Sequence, residues 1–146
     1  MVRPVRPPHK VTSGYGPRVL NGSSQLHNGI DYINTEGDCT VLAMAPGTVI
    51  FDKDNYNPAL RWTVPAEGGG NYVIIRSLVA GIEYFIRYLH LGGNLVSVGQ
   101  YVDEGAKIGT YADAGYSFGP HTHIDFWTLN WTNIDPTQII LSNLNK

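Results

Sequence analysis

Short runs of alternating polar and apolar residues are the dominant pattern of this chain, and such alternation predicts β-strands with one buried face. The clearest run is residues 119–127, in which His121, His123 and Asp125 share one face of a strand. Two residues along a strand span roughly 6.6 Å, so both imidazoles can serve one small site. A surface strand with two exposed histidines is the alternative interpretation.

Other apolar runs predict the rest of the sheet. Residues 71–76 and 82–89 predict a pair of strands, and the second strand is expected to end at His90. Residues 41–51 predict a β-hairpin around a turn at residues 46–47. A histidine at a strand end is either a hydrogen-bonded structural residue or part of a site that the strand faces.

The composition agrees with one small β domain. Of the 146 residues, 42% are hydrophobic and 15% are charged, which provides enough apolar material for a single core. The 17 glycines and 9 prolines favour many tight turns between short strands. Residues 1–10 contain three prolines and no periodicity, so we expect an extended N-terminal arm there and a single domain over residues 11–146.

Charge and cysteine content exclude several classes of protein. A net charge of −2 provides no basic surface for nucleic acid or for an anionic membrane. The single Cys39 permits neither an internal disulfide nor a cysteine-based zinc site. No apolar run is long enough to span a bilayer, and residues 1–9 lack the apolar middle of a secretory signal. We therefore expect a chain that does not export itself as written.

A second candidate for chemistry is the pair His27 and Asp31. Gly29 between them and the β-branched residues that follow favour a strand over a helix. A straight strand would separate the two side chains by roughly 13 Å, so a shared metal ion requires a bend, which Gly29 permits. A His/Asp pair is a normal ligand set for zinc or iron when a third donor joins it. The alternative is a loop histidine and an aspartate that makes turn hydrogen bonds.

Residues 52–70 form a long segment that lacks strand periodicity and ends in three consecutive glycines. Loops of this length often line binding sites, so Tyr56, Trp62 and the glycines are candidates for one wall of a groove. A disordered surface insertion is the other interpretation of this segment.

Several motifs follow one another along the chain: Thr12 to Arg18, His27-x-x-x-Asp31, Ala45-Pro46-Gly47-Thr48-Val49, Tyr88-Leu89-His90-Leu91, Val98-Gly99-Gln100, Gly105, Ile108-Gly109, Ser117-x-Gly119-Pro120-His121-x-His123-x-Asp125, and Asp135-Pro136. In this order they resemble the lysostaphin-type, or LytM-like, zinc endopeptidases of bacterial cell walls. The resemblance covers about residues 11–139. It implies an all-β, mostly antiparallel fold with a long open substrate groove, and hydrolysis of peptide cross-links in peptidoglycan.

The resemblance also implies roles for individual residues. His27, Asp31 and His123 look like the ligands of one zinc ion per chain, and His90 and His121 look like the catalytic pair. Three protein ligands leave zinc an open position for water, which then serves as the nucleophile near neutral pH. The expected substrate is a peptidoglycan peptide, cleaved by a monomeric enzyme in the periplasm or outside the cell. Because residues 1–9 lack a secretory signal, we expect a phage lysis or virion-associated enzyme, or a chain whose leader has been trimmed.

Some details of this assignment stay open. Asp125 either orients a histidine or forms a cross-strand ion pair. Phe118 stands where a small hydroxyl residue is common in the family, and Thr122 replaces a frequent apolar residue, which leaves the shape of the groove open. The tyrosine that precedes the first ligand in some relatives is absent, so the histidines would have to stabilise the oxyanion.

Two other functions are compatible with the resemblance. The first is a non-catalytic LytM-like module that binds cell wall or regulates hydrolases. Such modules usually lack one or more ligands, whereas here all five positions are filled. The second is a related zinc carboxypeptidase or amidase that acts on a different peptidoglycan bond. The ordered motifs favour the endopeptidase.

Overall fold

A computed structural model describes residues 1–145 of the chain. The predicted all-β, mostly antiparallel fold is confirmed, because the strands pair antiparallel and the described residues contain one short α-helix and two 3-10 turns. No described helix has the length and apolar character needed to cross a membrane. The elements are β1 (His9–Ser13), β2 (Gly16–Leu20), β3 (Ser23–His27), β4 (Ile30–Asn34), β5 (Thr40–Leu42), β6 (Gly47–Lys53), β7 (Asn71–Val79), β8 (Ile82–Asn94), β9 (Tyr101–Val102), β10 (Lys107–Tyr111), β11 (Thr122–Trp127), β12 (Asn133–Ile134) and α1 (Thr137–Asn143).

One large sheet carries most of the strands, in the order β1-β4-β11-β8-β7-β6-β9. β12 pairs with β11, β10 pairs with both β5 and β8, and β2 and β3 form a separate hairpin. Within the large sheet, Asp31 of β4 lies opposite His123 of β11, which in turn lies opposite Leu89 of β8. The register therefore brings three distant parts of the sequence, including the residue next to His90, to one place.

The alternation predicted for residues 119–127 is present in β11. Thr122, Ile124 and Phe126 are fully buried on one face. On the other face, His123 Nε2 lies 2.9 Å from a carboxylate oxygen of Asp125. Full burial of a large apolar side chain contributes roughly 1.5–3 kcal/mol to stability, so the apolar face of β11 holds its polar face in register.

The β-hairpin predicted for residues 41–51 is wrong. β5 pairs with β10, whereas β6 pairs with β7 and β9. Ala43, which follows β5, donates its N–H to the carbonyl oxygen of Ala106 and accepts a hydrogen bond from the N–H of Gly105. These bonds to a distant segment take β5 away from β6, so the Pro46 turn joins two strands that have different partners.

The prediction that the strand ends at His90 is also wrong, because β8 continues to Asn94. His90 has a φ of 61°, in the left-handed region that residues other than glycine seldom adopt. Its N–H donates to the carbonyl oxygen of Gly69, and its own carbonyl accepts from the N–H of Ala112. Conformations of this kind cluster at functional sites, and here one gives His90 an orientation that a regular strand would not.

The segment predicted as an extended N-terminal arm packs against the rest of the domain. The N–H of Leu42 donates to the carbonyl oxygen of Pro4 at 2.8 Å. The side chains of Met1 and Val5 are buried in the main hydrophobic core. Since β1 already begins at His9, these apolar contacts extend the packed domain into the first residues of the chain.

Candidate active site

The chain bends at Gly29, between β3 and β4, as a metal ion shared by His27 and Asp31 would require. A Cβ at this position would lie 2.2 Å from the carbonyl oxygen of Ile124 and 2.7 Å from Nε2 of His123. Only a glycine fits so close an approach without displacing the neighbouring strand. The bend brings His27 beside Asp31, a pairing that a straight strand does not allow.

Three side chains from β3, β4 and β11 meet at this bend. His27 Nε2 lies 3.2 Å from Asp31 Oδ1 and 3.1 Å from His123 Nδ1. His123 Nδ1 lies 3.0 Å from the same Asp31 oxygen. All three residues are buried, and together they form a cluster that could hold a metal ion. The structure thus brings together the three residues that the resemblance implied as ligands.

Hydrogen bonds on the far side of each imidazole fix its tautomer. His27 Nδ1 lies 2.8 Å from the carbonyl oxygen of Gly14, which can only accept, so this nitrogen carries the proton. His123 Nε2 lies 2.9 Å from Asp125 Oδ2 and carries its proton for the same reason. In the neutral rings, His27 Nε2 and His123 Nδ1 are therefore bare acceptors. Two nitrogen lone pairs and one Asp31 oxygen converge on a single point.

This donor set fits a zinc ion. Bonds of 2.0–2.1 Å in a tetrahedral site place ligand atoms about 3.3 Å apart, close to the separations of the three acceptor atoms. Without a cation, lone pairs this close together repel one another unless a proton lies between them and forms a hydrogen bond. Burial lowers the pKa of His123, but hydrogen bonds to Asp125 and Asp31 outweigh it and raise that pKa to about 9. Burial raises the pKa of Asp31, yet hydrogen bonds from His123 and His27 hold it well below its usual range.

Asp125 both orients a histidine and forms a cross-strand ion pair, so the two alternatives from the sequence occur together. Its oxygens accept from Arg87 Nε at 2.6 Å and Nη2 at 2.7 Å, and from Trp127 Nε1 at 2.6 Å. Asp125 is fully buried and lies opposite Arg87 in the sheet. The roles of Arg87 and Trp127 as partners of Asp125 were not predicted from the sequence. The sequence did contain one signal for Arg87, which is a single arginine within the apolar run of β8. These contacts hold the carboxylate of Asp125 in place, and that carboxylate in turn orients the imidazole ring of His123.

We expect the Asp125→Asn variant to bind zinc roughly 10–100-fold more weakly, the usual cost of losing a partner that orients a ligand histidine. The amide no longer balances the charge of Arg87 and can present its NH₂ group to the ring of His123. Competition with a chromogenic zinc chelator measures the affinity. Glu83→Gln is the matched control, since it removes the exposed ion pair with Arg76 on the same sheet. Equal zinc affinity in the Asp125→Asn variant and the wild type would show that Asp125 is only structural.

The two remaining histidines of the resemblance lie beside the cluster. His121 Nε2 is 3.8 Å from Asp31 Oδ1, and the ring centroids of His121 and His90 are 4.7 Å apart. His90 Nδ1 donates to the carbonyl oxygen of Ala114 at 2.6 Å, and His121 Nδ1 lies 3.0 Å from that of Gly119. Both rings therefore keep Nε2 unprotonated when neutral. Burial, followed by the nearby histidines, lowers the pKa of His90 to about 3, so this ring is neutral near pH 7.

These residues line an open cleft of about 510 Å³. One wall comes from β1 and β2, and the other from residues 116–120. Arg18, which sequence reasoning left without a role, lies on the first wall: its Nη1 donates to Ser13 Oγ at 3.0 Å and lies 3.5 Å from Asp31 Oδ2. The guanidinium group thus balances the charge of the carboxylate oxygen that faces away from the two imidazoles.

The long segment of residues 52–70 supports the second wall. Trp62 stacks on Tyr116 and Phe118, both of which line the cleft. The candidates predicted for a groove wall, Tyr56, Trp62 and the three glycines, do not line the cleft themselves. The backbone N–H of Tyr56 donates to the side chain of Asn71. The segment is therefore ordered and packed, and the interpretation as a disordered insertion is wrong.

Comparisons with known proteins agree with this geometry. The sequence model of peptidase family M23 matches residues 25–136. The peptidoglycan DD-endopeptidase ShyC of Vibrio cholerae is 34% identical over 120 residues, which are 80% of this chain and 24% of that protein. The catalytic domain of lysostaphin from Staphylococcus simulans superposes with a TM-score of 0.69 at 28% identity, over 91% of this chain and 92% of that one. A zinc-containing peptidase from Vibrio cholerae gives a TM-score of 0.70 at 29% identity, over 98% of this chain and 40% of that one. The chain spans about a quarter of the length of the curated relatives it matches.

Proposed function

The chain belongs to peptidase family M23, and from this premise we propose that it is a zinc-dependent endopeptidase that hydrolyses peptide cross-links of bacterial peptidoglycan. The observation that carries the proposal is the convergence of two imidazole lone pairs and a carboxylate oxygen at the floor of an open cleft. We assign His27, Asp31 and His123 as the ligands of one zinc ion, and His90 and His121 as the catalytic pair. All five side chains line the same cleft.

Zinc bound to these three ligands would lower the pKa of a water molecule and polarise the scissile carbonyl group. The protein's own residues move the protons. His121, with Nε2 unprotonated, accepts a proton as the water oxygen bonds to the carbonyl carbon. It then gives that proton to the amine nitrogen as the carbon–nitrogen bond breaks. His90, kept neutral by burial, offers a second acceptor next to His121.

The proposed substrate follows from the relatives and from the shape of the site. ShyC is named a peptidoglycan DD-endopeptidase, and lysostaphin is described as an antimicrobial peptidase. An open cleft admits the middle of an extended chain, whereas an enzyme that removes terminal residues usually closes one end of its site. We therefore propose cleavage within a cross-link by a monomer on the cell wall, in the periplasm or outside the cell. We propose a zinc peptidase domain over residues 11–146, against which the segment of residues 1–10 packs.

Removal of zinc with a chelator is expected to abolish hydrolysis and to leave the fold largely intact. The core is formed by apolar side chains such as Ile75, Ile86 and Phe126, which are fully buried and do not depend on a metal. Hydrolysis of a cross-linked peptide and circular dichroism are measured on the same samples. One equivalent of Zn²⁺ restores activity, whereas Mg²⁺ does not, because imidazole ligands suit zinc and magnesium prefers oxygen. An unfolded chelated protein would instead identify the site as structural.

A further inference from the structure

We propose that the aromatic wall, defined as Tyr116 and Phe118, which line the cleft, and Trp62, which stacks on both, binds a sugar ring of the glycan strand to which the cross-linked peptide is attached. The inference rests on the proposed function, because it names a second part of the same substrate. It also gives a role to Phe118, which stands where the resemblance led us to expect a small hydroxyl residue.

The three rings form an exposed, nearly parallel stack. The ring centroid of Trp62 lies 5.7 Å from that of Tyr116 and 5.4 Å from that of Phe118, with interplanar angles of 11° and 27°. Their exposed fractions are 52% for Trp62, 48% for Tyr116 and 70% for Phe118. A contiguous exposed apolar patch of this kind at the edge of a cleft typically marks a surface that another molecule covers.

Hydrogen bonds from Arg61 and between two loops hold the aromatic wall in place. Arg61 donates from Nε to the carbonyl oxygen of Gly115 at 2.9 Å and from Nη2 to that of Ser117 at 2.9 Å. The N–H of Tyr116 donates to the carbonyl oxygen of Gly68 at 2.6 Å. A Cβ at Gly115 would lie 2.2 Å from that same Gly68 oxygen, so the two loops are in backbone contact. A preorganised wall loses little conformational entropy when a ligand binds.

The aromatic wall is continuous with the catalytic residues. Ser117 lies between Tyr116 and Phe118 in sequence, and its Oγ is 3.2 Å from Nδ1 of His121. Both Tyr116 and Phe118 line the cleft that contains His121. A substrate whose scissile bond lies at His121 and that continues along the cleft therefore reaches these rings.

The chemistry of the substrate decides what covers the rings. The peptides of peptidoglycan consist of small residues such as alanine and glycine and of charged residues such as glutamate and a diamino acid, and none of these has a large flat apolar side chain. The carbon–hydrogen face of a pyranose ring is flat and apolar, and it matches an aromatic face through dispersion contacts. The guanidinium of Arg61, which lies over Trp62, is paired with Asp113. The aromatic wall therefore favours a neutral sugar over a charged peptide.

The test compares two substrates in matched variants. A cross-linked peptide dimer without sugar and the same dimer carrying its disaccharides are hydrolysed by the zinc-loaded wild type, Phe118→Ala and Trp131→Ala proteins. Trp131 is a suitable control because it is also exposed and stacked, at 4.2 Å from Phe85, but does not line the cleft. We expect the wild type and the Trp131→Ala variant to prefer the sugar-bearing dimer in kcat/KM by roughly five- to tenfold, and the Phe118→Ala variant to lose that preference.

Four outcomes separate this inference from the proposed function. Equal kcat/KM of the wild type for both dimers overturns it, and so does an equal loss on both dimers in the Phe118→Ala variant, which would place a peptide on the rings. Binding of both dimers to the zinc-loaded His121→Ala protein provides a readout that does not need turnover. Tighter binding of the sugar-bearing dimer without any cleavage by the wild type would contradict the proposed function and support the sugar site. Equal binding of the two dimers would contradict the sugar site.

Discussion

The His123→Ala variant is expected to lose zinc and hydrolysis together. The substitution deletes one of three converging acceptor atoms and leaves the carboxylates of Asp31 and Asp125 without the imidazole between them. The loss of zinc affinity should exceed roughly 100-fold, which is the upper end of the loss seen when a residue that only hydrogen-bonds to a ligand is replaced. Metal analysis of the purified protein and a cell-wall turbidity assay measure the two effects on one preparation.

His9→Ala is the control for the loss of a histidine as such. His9 lies in β1 opposite Asn34 and does not line the cleft, so this variant should keep both zinc and activity. Thermal unfolding of both variants in the presence of chelator separates a folding defect from a loss of metal. Stoichiometric zinc in the His123→Ala protein would remove His123 from the ligand set.

The His121→Ala variant is expected to keep close to one zinc per chain and to lose roughly 10²–10⁴ in kcat, the range for loss of a general acid or base. His121 Nε2 is adjacent to the cluster, but the three converging atoms belong to other residues. His90→Ala should behave in the same way, with an additional loss of stability because His90 is buried against Ala114. Metal analysis and steady-state kinetics on a defined peptide give zinc content and kcat separately.

A different result would reassign the two residues of the His-x-His pair. Loss of zinc in the His121→Ala variant with retention in the His123→Ala variant would exchange their roles. Unchanged kcat in both the His121→Ala and the His90→Ala variants would contradict the assignment of these two histidines as the catalytic pair. The Ser117→Ala variant should have a smaller effect on kcat. It removes the contacts of Ser117 Oγ with His121 Nδ1 and with the carbonyl oxygen of Gly119, but it leaves the bond between His121 and Gly119.

Local sequence patterns were sufficient where the determining contacts are local. The alternation in residues 119–127 predicted which side chains of β11 face the core, because a strand has a period of two whatever its partners are. Gly29 predicted the bend between His27 and Asp31, because the distance along a straight strand excluded a shared ion. The identification of the ligands required the resemblance, since spacing alone left a structural alternative open for each histidine.

The errors occurred where distant segments decide the structure. Residues 41–51 carry a hairpin-like turn, yet β5 pairs with β10, about 65 residues farther along the chain. The contacts of Arg61 with the loop around Ser117, and of Arg87 with Asp125, likewise connect residues that no local pattern relates. The left-handed conformation of His90 is accompanied by hydrogen bonds to Gly69 and from Ala112, which lie in distant parts of the sequence. Such features follow from tertiary packing, which propensity and periodicity do not encode.

The most direct test of the account is the mass of the products that the zinc-loaded protein releases from purified peptidoglycan. Cross-linked peptide dimers should be converted to monomers with the addition of one water, and the new amino and carboxyl termini should lie within the cross-link. The chelated protein and the His123→Ala variant should leave the dimers intact. Release of single terminal residues would indicate a carboxypeptidase, separation of peptide from sugar would indicate an amidase, and intact dimers after treatment with zinc-loaded wild type would contradict catalysis altogether.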